Sequence, residues 1–199
     1  MVAVIAVLAI LMVAGIKLLD SHASQSRRVA VDLLEGMIEQ ARTTAITSRS
    51  YVVLAVVEPG NLAAGDERCR LGLFKVEAFP DSVTDRVNGV MLSHWRTMDP
   101  GIALIGGDVD GVENPMDAPE VTISFGCSRP QSVKAHAIAF NVCGGLHYPA
   151  GSTPVAMRIA EGAWRNGMSI PNHRDGPNRI PESRIKIGRV VARSYRIDG

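Results

Sequence analysis

Histidine, cysteine and clustered carboxylates are the side chains of this 199-residue chain that could move protons, attack carbonyls or hold metal ions. Its five histidines, His22, His94, His136, His147 and His173, are scattered, and none lies in an HExxH or other paired-ligand spacing. His136 alternates with apolar residues in AHAIAFNV and reads as an ordinary sheet residue. No G-x-S-x-G elbow, Walker loop or G-x-G-x-x-G turn occurs. The expectation is therefore a non-enzyme with no catalytic residue, no cofactor and no small-molecule substrate.

Three further groupings carry weaker signals. Cys69, Cys127 and Cys143 are too far apart for a zinc knuckle. In an oxidising compartment Cys127 and Cys143 form the candidate disulfide, because each closes a neighbouring predicted strand; buried, unreactive thiols are the alternative. The stretch 107–114 places Asp108, Asp110 and Glu113 among glycines, an oxygen-rich set that suits Ca²⁺. Counting Asp108 as the first position, its glycine, Gly111, falls at the fourth and not at the sixth position of an EF-hand loop, and a solvated acidic loop is the preferred reading.

Charge is the third grouping. The overall charge of +1 excludes an acidic disordered chain and a globally basic nucleic-acid binder. It is a cancellation: residues 50–163 carry a net −5, and residues 164–199 a net +5. The basic tail comprises Arg165, Arg174, Arg179, Arg184, Lys186, Arg189, Arg193 and Arg196. Three roles fit it: pairing with the acidic body of the same or a neighbouring subunit, binding DNA phosphates, or blunting a solvated strand edge. The blunted edge is preferred, and few aromatics accompany the patch to support base stacking.

The elements that position these groups fall into two parts. Met1 to Ile16 holds no charged or polar side chain, and nine of these 16 residues are Val, Ile or Leu. At about 1.5 Å per residue the run spans roughly 24 Å, short of a hydrocarbon core of about 30 Å. A signal peptide lacks its basic start here, although Ser21-His22-Ala23 resembles a cleavage site. A buried helix of a soluble protein is a second reading. The third, a membrane helix continuing into a soluble one, is favoured by the pattern beyond Lys17. Ala30, Leu34, Met37, Ile38, Ala41 and Ala45 recur at helical spacing, with Arg28, Asp32, Glu35, Glu39 and Arg42 on the opposite face. The spacing predicts one helix over residues 1–48, roughly 70 Å long, with residues 1–16 as its transmembrane part.

From Tyr51 the period changes, and all 11 prolines lie at or beyond Pro59. YVVLAVVE reads as a buried strand, and CRLGLFKVEAF, VMLSHWR, VTISF, AHAIAFNV, PVAMRIAE and IKIGRVVARSYRI come after it as further strands. The connectors 99–120 and 166–183, rich in Gly, Pro, Asp and Asn, read as surface loops, and CGGLHYPAG as a hairpin connection. The expected fold class is α+β: a long N-terminal helix packed on an antiparallel sheet, with residues 49–199 as a β-rich head.

The apolar VAVIAVLAIL, the helix containing LLEGMIEQARTTAITSRSYV, the strand directly after it and the terminal RIKIGRVVARSYRI together resemble type IV pilins and type II secretion pseudopilins. The nearest likeness is to minor, H-type pseudopilins. Family members begin with a basic leader, an aromatic residue and a nearby glutamate, none of which is present; the expectation is that the natural start lies upstream. The resemblance implies a structural subunit of a secretion or pilus-type filament, held in the inner membrane by a single pass with its head outside. Its partners would be the membrane and other pilin-like subunits, met through helix positions Val4, Val7, Leu8, Leu11 and Ala14. Small Ala3, Ala6, Ala9 and Gly15 permit close helix approach. Some pseudopilins bind Ca²⁺ in a loop, which is the family reading of Asp108, Asp110 and Glu113. The resemblance also carries an alternative, a DNA-binding minor pilin using arginines near a Gly-Arg motif. Gly188-Arg189 matches it, with Arg184, Lys186 and Arg193 nearby, but Val191 stands where a further arginine is expected.

Overall fold

The computed structural model describes residues 2–61, 68–79, 86–107, 109–126, 131–165, 168–172 and 181–197, with side chains from residue 24 onward. Among these residues one helix, α1 (Val2–Ser48), precedes twelve strands. The face of α1 with Ala30, Leu34, Ile38, Ala41 and Ala45 is buried, as its three- and four-residue spacing requires. The helix stops where Arg49 turns left-handed (φ 48°) and the Ser50 amide reaches back to the Ala45 carbonyl at 3.3 Å, while the Ser48 hydroxyl donates to the Thr44 carbonyl.

The strands build two sheets. In the first, β1 (Tyr51–Val57), β2 (Arg70–Val76), β3 (Val87–Met91), β6 (Val121–Phe125) and β7 (Gln131–Phe140) pair in that order. The ring closes because β7 also pairs with β1, from Val52 opposite Phe140 to Val56 opposite His136. All pairings are antiparallel except β3 with β6. The short β4 (Arg96–Thr97) lies on β2, and β8 (Leu146–Tyr148) on β7. The second sheet runs β10 (Met168–Pro171), β9 (Val155–Arg165), β11 (Glu182–Ile187), β12 (Ser194–Ile197), with β5 (Ile102–Ile105) also on β9.

Strand alternation divides the apolar residues between two cores. Val53, Ala55 and Val57 of β1, Phe74 and Val76 of β2, Ile123 of β6 and the small Ala135, Ala137 and Ala139 of β7 fill the barrel. The intervening Val52, Leu54 and Val56, with Leu71, Leu73, Ile138 and Phe140, face outward. They meet the buried face of α1 together with Val155, Met157, Ile159, Ile185 and Ile187 of the second sheet. β1 is thus covered on both faces, which is why its sequence is an unbroken apolar run.

This architecture corrects the α+β expectation. The chain is mostly β, with one helix and a closed five-stranded barrel, not a long helix on a single antiparallel sheet. The physical reason is that β7 has apolar residues on both faces of its second half, so it completes the ring with its alanines inward and still covers the helix-side core. The loops shift as well: IALI, inside the expected surface connector 99–120, is the fully buried β5 paired to β9, and 166–183 contains β10. The terminal segment is two strands, β11 and β12, joined by a turn over 188–193.

The expected single-pass inner-membrane placement is also corrected. Among the described residues no helix is long and apolar enough to cross a membrane. The described side chains of α1 include Arg27, Arg28, Asp32, Glu35, Glu39 and Arg42, which no hydrocarbon core accommodates.

Candidate functional site

Among the described residues, one histidine and two carboxylates that the sequence separates widely are brought together. Glu58 comes directly after the last residue of β1, Glu120 precedes β6, and His136 lies on β7 opposite Val56. One ligand atom from each of these three lies within 4.8 Å of the other two. They line an open cleft of about 500 Å³ with Pro59, Gly60, Asn61 and Trp164. Pro59-Gly60 turns the chain immediately after Glu58, with Gly60 at φ +96°, a conformation a side chain would strain.

The polarity of the site is set by its backbone. His136 is 92% buried, and its Nδ1 lies 3.1 Å from the Ala118 carbonyl. A carbonyl only accepts, so Nδ1 carries the proton and Nε2 faces the carboxylates, 3.9 Å from Glu58 Oε2. Burial disfavours the imidazolium, but the Glu58 carboxylate, the Ala118 carbonyl and Glu120 outweigh it and raise the histidine pKa. Asn61 fixes the third group, donating from Nδ2 to Glu120 Oε1 at 2.6 Å. Two carboxylates facing one imidazole can hold a cation or share a proton; no nucleophile lies among the described residues lining the cleft. From the sequence His136 reads as an ordinary sheet residue, and no local pattern links it to Glu58 or Glu120.

The residues singled out in the sequence fall elsewhere. Asp110 and Glu113 do not converge. Asp110-Gly111 forms a tight turn, with Val109 and Val112 exchanging backbone bonds, and Asp108 lies outside the described residues. Asp110 faces Arg184 at 3.7 Å, whereas Glu113 faces Arg189 at 3.9 Å. Cys143 is an exposed free thiol, and Cys127 lies outside the described residues. The helix positions Val4, Val7, Leu8, Leu11 and Ala14 lie within α1, outside the described side chains.

Three arginines of the basic tail are engaged by groups of the same chain. Arg184 donates to Glu182 at 2.7 Å, and Arg189 is held by the carbonyls of Pro149 and Thr153, where burial lowers its pKa. Arg196 donates to Asp32 and to Glu35 on α1, which raises its pKa. Lys186 is half-buried on β11, and Arg193 is exposed with its charge acting on Glu39. Of the three roles weighed for this tail, pairing with the acidic groups of its own subunit is what Arg184, Arg189 and Arg196 do. Compared with known proteins, the chain matches no family model, no curated protein and no solved structure.

Proposed function

We propose that this chain is a structural subunit that assembles with other pilin-like subunits through its N-terminal helix into a secretion- or pilus-type filament. The observation that carries the reading is the division of labour along α1. Among the described side chains its contacts with the head run from Arg27 to Ile46, and the helix extends N-terminally of Arg27 for about 25 further residues, roughly 38 Å at the α-helical rise. That extension has the apolar sequence Met1 to Ile16 with small residues at Ala3, Ala6, Ala9, Ala14 and Gly15, a composition suited to close helix–helix packing. A rod held at one end by a rigid β head, with an apolar far end, supports stacking of like subunits better than it supports catalysis.

The DNA-binding alternative is disfavoured by the ion pairs of the tail. Arg184, Arg189 and Arg196 are engaged by protein acceptors, so these three are less available to replace the counterions of a phosphate backbone.

Electron microscopy and sedimentation of the full chain test the proposal. Ordered, concentration-dependent assemblies are expected, and Leu8→Asp with Leu11→Asp should leave a folded monomer. A wild-type chain that stays monomeric at every concentration overturns the reading.

A further inference from the structure

The filament role leaves Glu58, Glu120 and His136 without a task. We propose that these three residues form a binding site for one divalent transition-metal ion of the Zn²⁺ type. Their ligand atoms already lie within 4.8 Å of one another, whereas the ligands of a tetrahedral Zn²⁺ stand about 3.3 Å apart. The remaining difference lies within the reach of side-chain rotation at two glutamates that are both only partly buried.

Three features beyond proximity point to a cation. The Ala118 carbonyl accepts a hydrogen bond from Nδ1 of an imidazole that is 89% buried and leaves Nε2 aimed at two carboxylates, the arrangement that orients a metal-ligating histidine. Asn61 holds Glu120 as an outer partner, at 2.6 Å. No lysine or arginine lies among the described residues that line the cleft, so its two carboxylates face no cationic side chain beyond the imidazole, and the open mouth admits a cation from solvent. The mixed nitrogen and oxygen donors suit Zn²⁺ or Mn²⁺ better than Ca²⁺, which takes all-oxygen sets. Three protein ligands leave a coordination position for water or for a group from a neighbouring molecule.

Calorimetry with Zn²⁺ alone, on the full chain stripped by chelator at neutral pH, reads the site directly. One saturable equivalent is expected, abolished in Glu58→Gln and Glu120→Gln proteins whose circular dichroism is unchanged. Asn61→Ala should weaken binding by roughly 10- to 100-fold, as removal of an outer partner does. Substitution of the buried His136 risks the fold, so its part is read in the wild type by nitrogen NMR: the Nε2 resonance should shift with one equivalent of Zn²⁺ while Nδ1 keeps its proton. Absence of saturable binding at millimolar Zn²⁺, or undiminished binding in the Glu58→Gln, Glu120→Gln double variant, overturns the proposal.

Discussion

Arg27 on α1 donates from Nη1 to Oε1 of Glu161 on β9 at 3.0 Å, and the Glu161 side chain is almost wholly buried. This pair joins the helix to the second sheet across 134 positions of sequence. Removing Arg27 takes a charge-assisted hydrogen bond away from a carboxylate in a poorly solvated place. Arg27→Met should therefore destabilise the protein on the order of 3 kcal/mol in urea unfolding. Glu161→Gln in the Arg27→Met background should recover part of that loss, because a neutral amide is easier to bury than a carboxylate that has lost one of its ion-pair contacts. Unchanged stability in the single variant would show that Arg27 does not anchor the helix.

The two described thiols should react very differently. Cys69 is buried beside the helix-side core, and burial pushes its pKa up to about 11. Cys143 is exposed in the turn after β7. A thiol-specific reagent at neutral pH should modify Cys143 within the mixing time of a typical labelling reaction and reach Cys69 only on unfolding. Mass spectrometry of peptides locates the label, and equal labelling of both in the native protein would contradict the burial.

The surface pair on α1 makes a pH prediction of known sign. The Arg42 guanidinium donates to both carboxylate oxygens of Glu39, at 2.5 and 3.0 Å, and this hydrogen bonding holds the Glu39 pKa below its ordinary value. A lowered folded-state pKa contributes stability that is present above the unfolded pKa and is lost as pH falls through the folded one. Carbon NMR titration should place the Glu39 midpoint below that of an unperturbed glutamate, and Arg42→Ala should move it up. Because the pair is exposed, the accompanying change in stability should be small.

Much of the architecture is readable where one residue's neighbours decide its state. The spacing of Leu34, Ile38 and Ala45 marks a helix face, and YVVLAVVE marks a strand covered on both sides, because each pattern repeats within a few residues. Barrel closure is not readable. It depends on Val56 meeting His136 and on two parallel pairs between β3 and β6, contacts whose register no local pattern encodes. The same holds for the site, since Glu58, Glu120 and His136 come from three segments that adjoin only after the ring has closed. The buried β5 is hidden differently: four apolar residues between glycine-rich turns are too few to distinguish a strand from a loop.

Gly72 leaves the space in which Trp95 covers the end of the barrel. It lies on β2 opposite Ala55, on the same face as Phe74, and the Trp95 ring packs edge-on against Phe74 and Phe125. A Cβ at position 72 would stand 2.6 Å from Cζ3 and 2.9 Å from Cε3 of Trp95, closer than van der Waals contact permits. The ring is larger than the terminus of a flexible chain and is already wedged against two other aromatics, so it can relieve the clash only by swinging outward. Gly72→Ala should therefore destabilise the protein by about 1–3 kcal/mol, the usual cost of overpacking, although alanine is otherwise acceptable in a strand. In a Trp164→Phe background Trp95 is the sole tryptophan, and its fluorescence should shift to the red in the Gly72→Ala protein as the indole meets water. An unshifted emission maximum with an unchanged unfolding midpoint would mean that the barrel end accepts a methyl group and that Trp95 does not depend on the missing side chain.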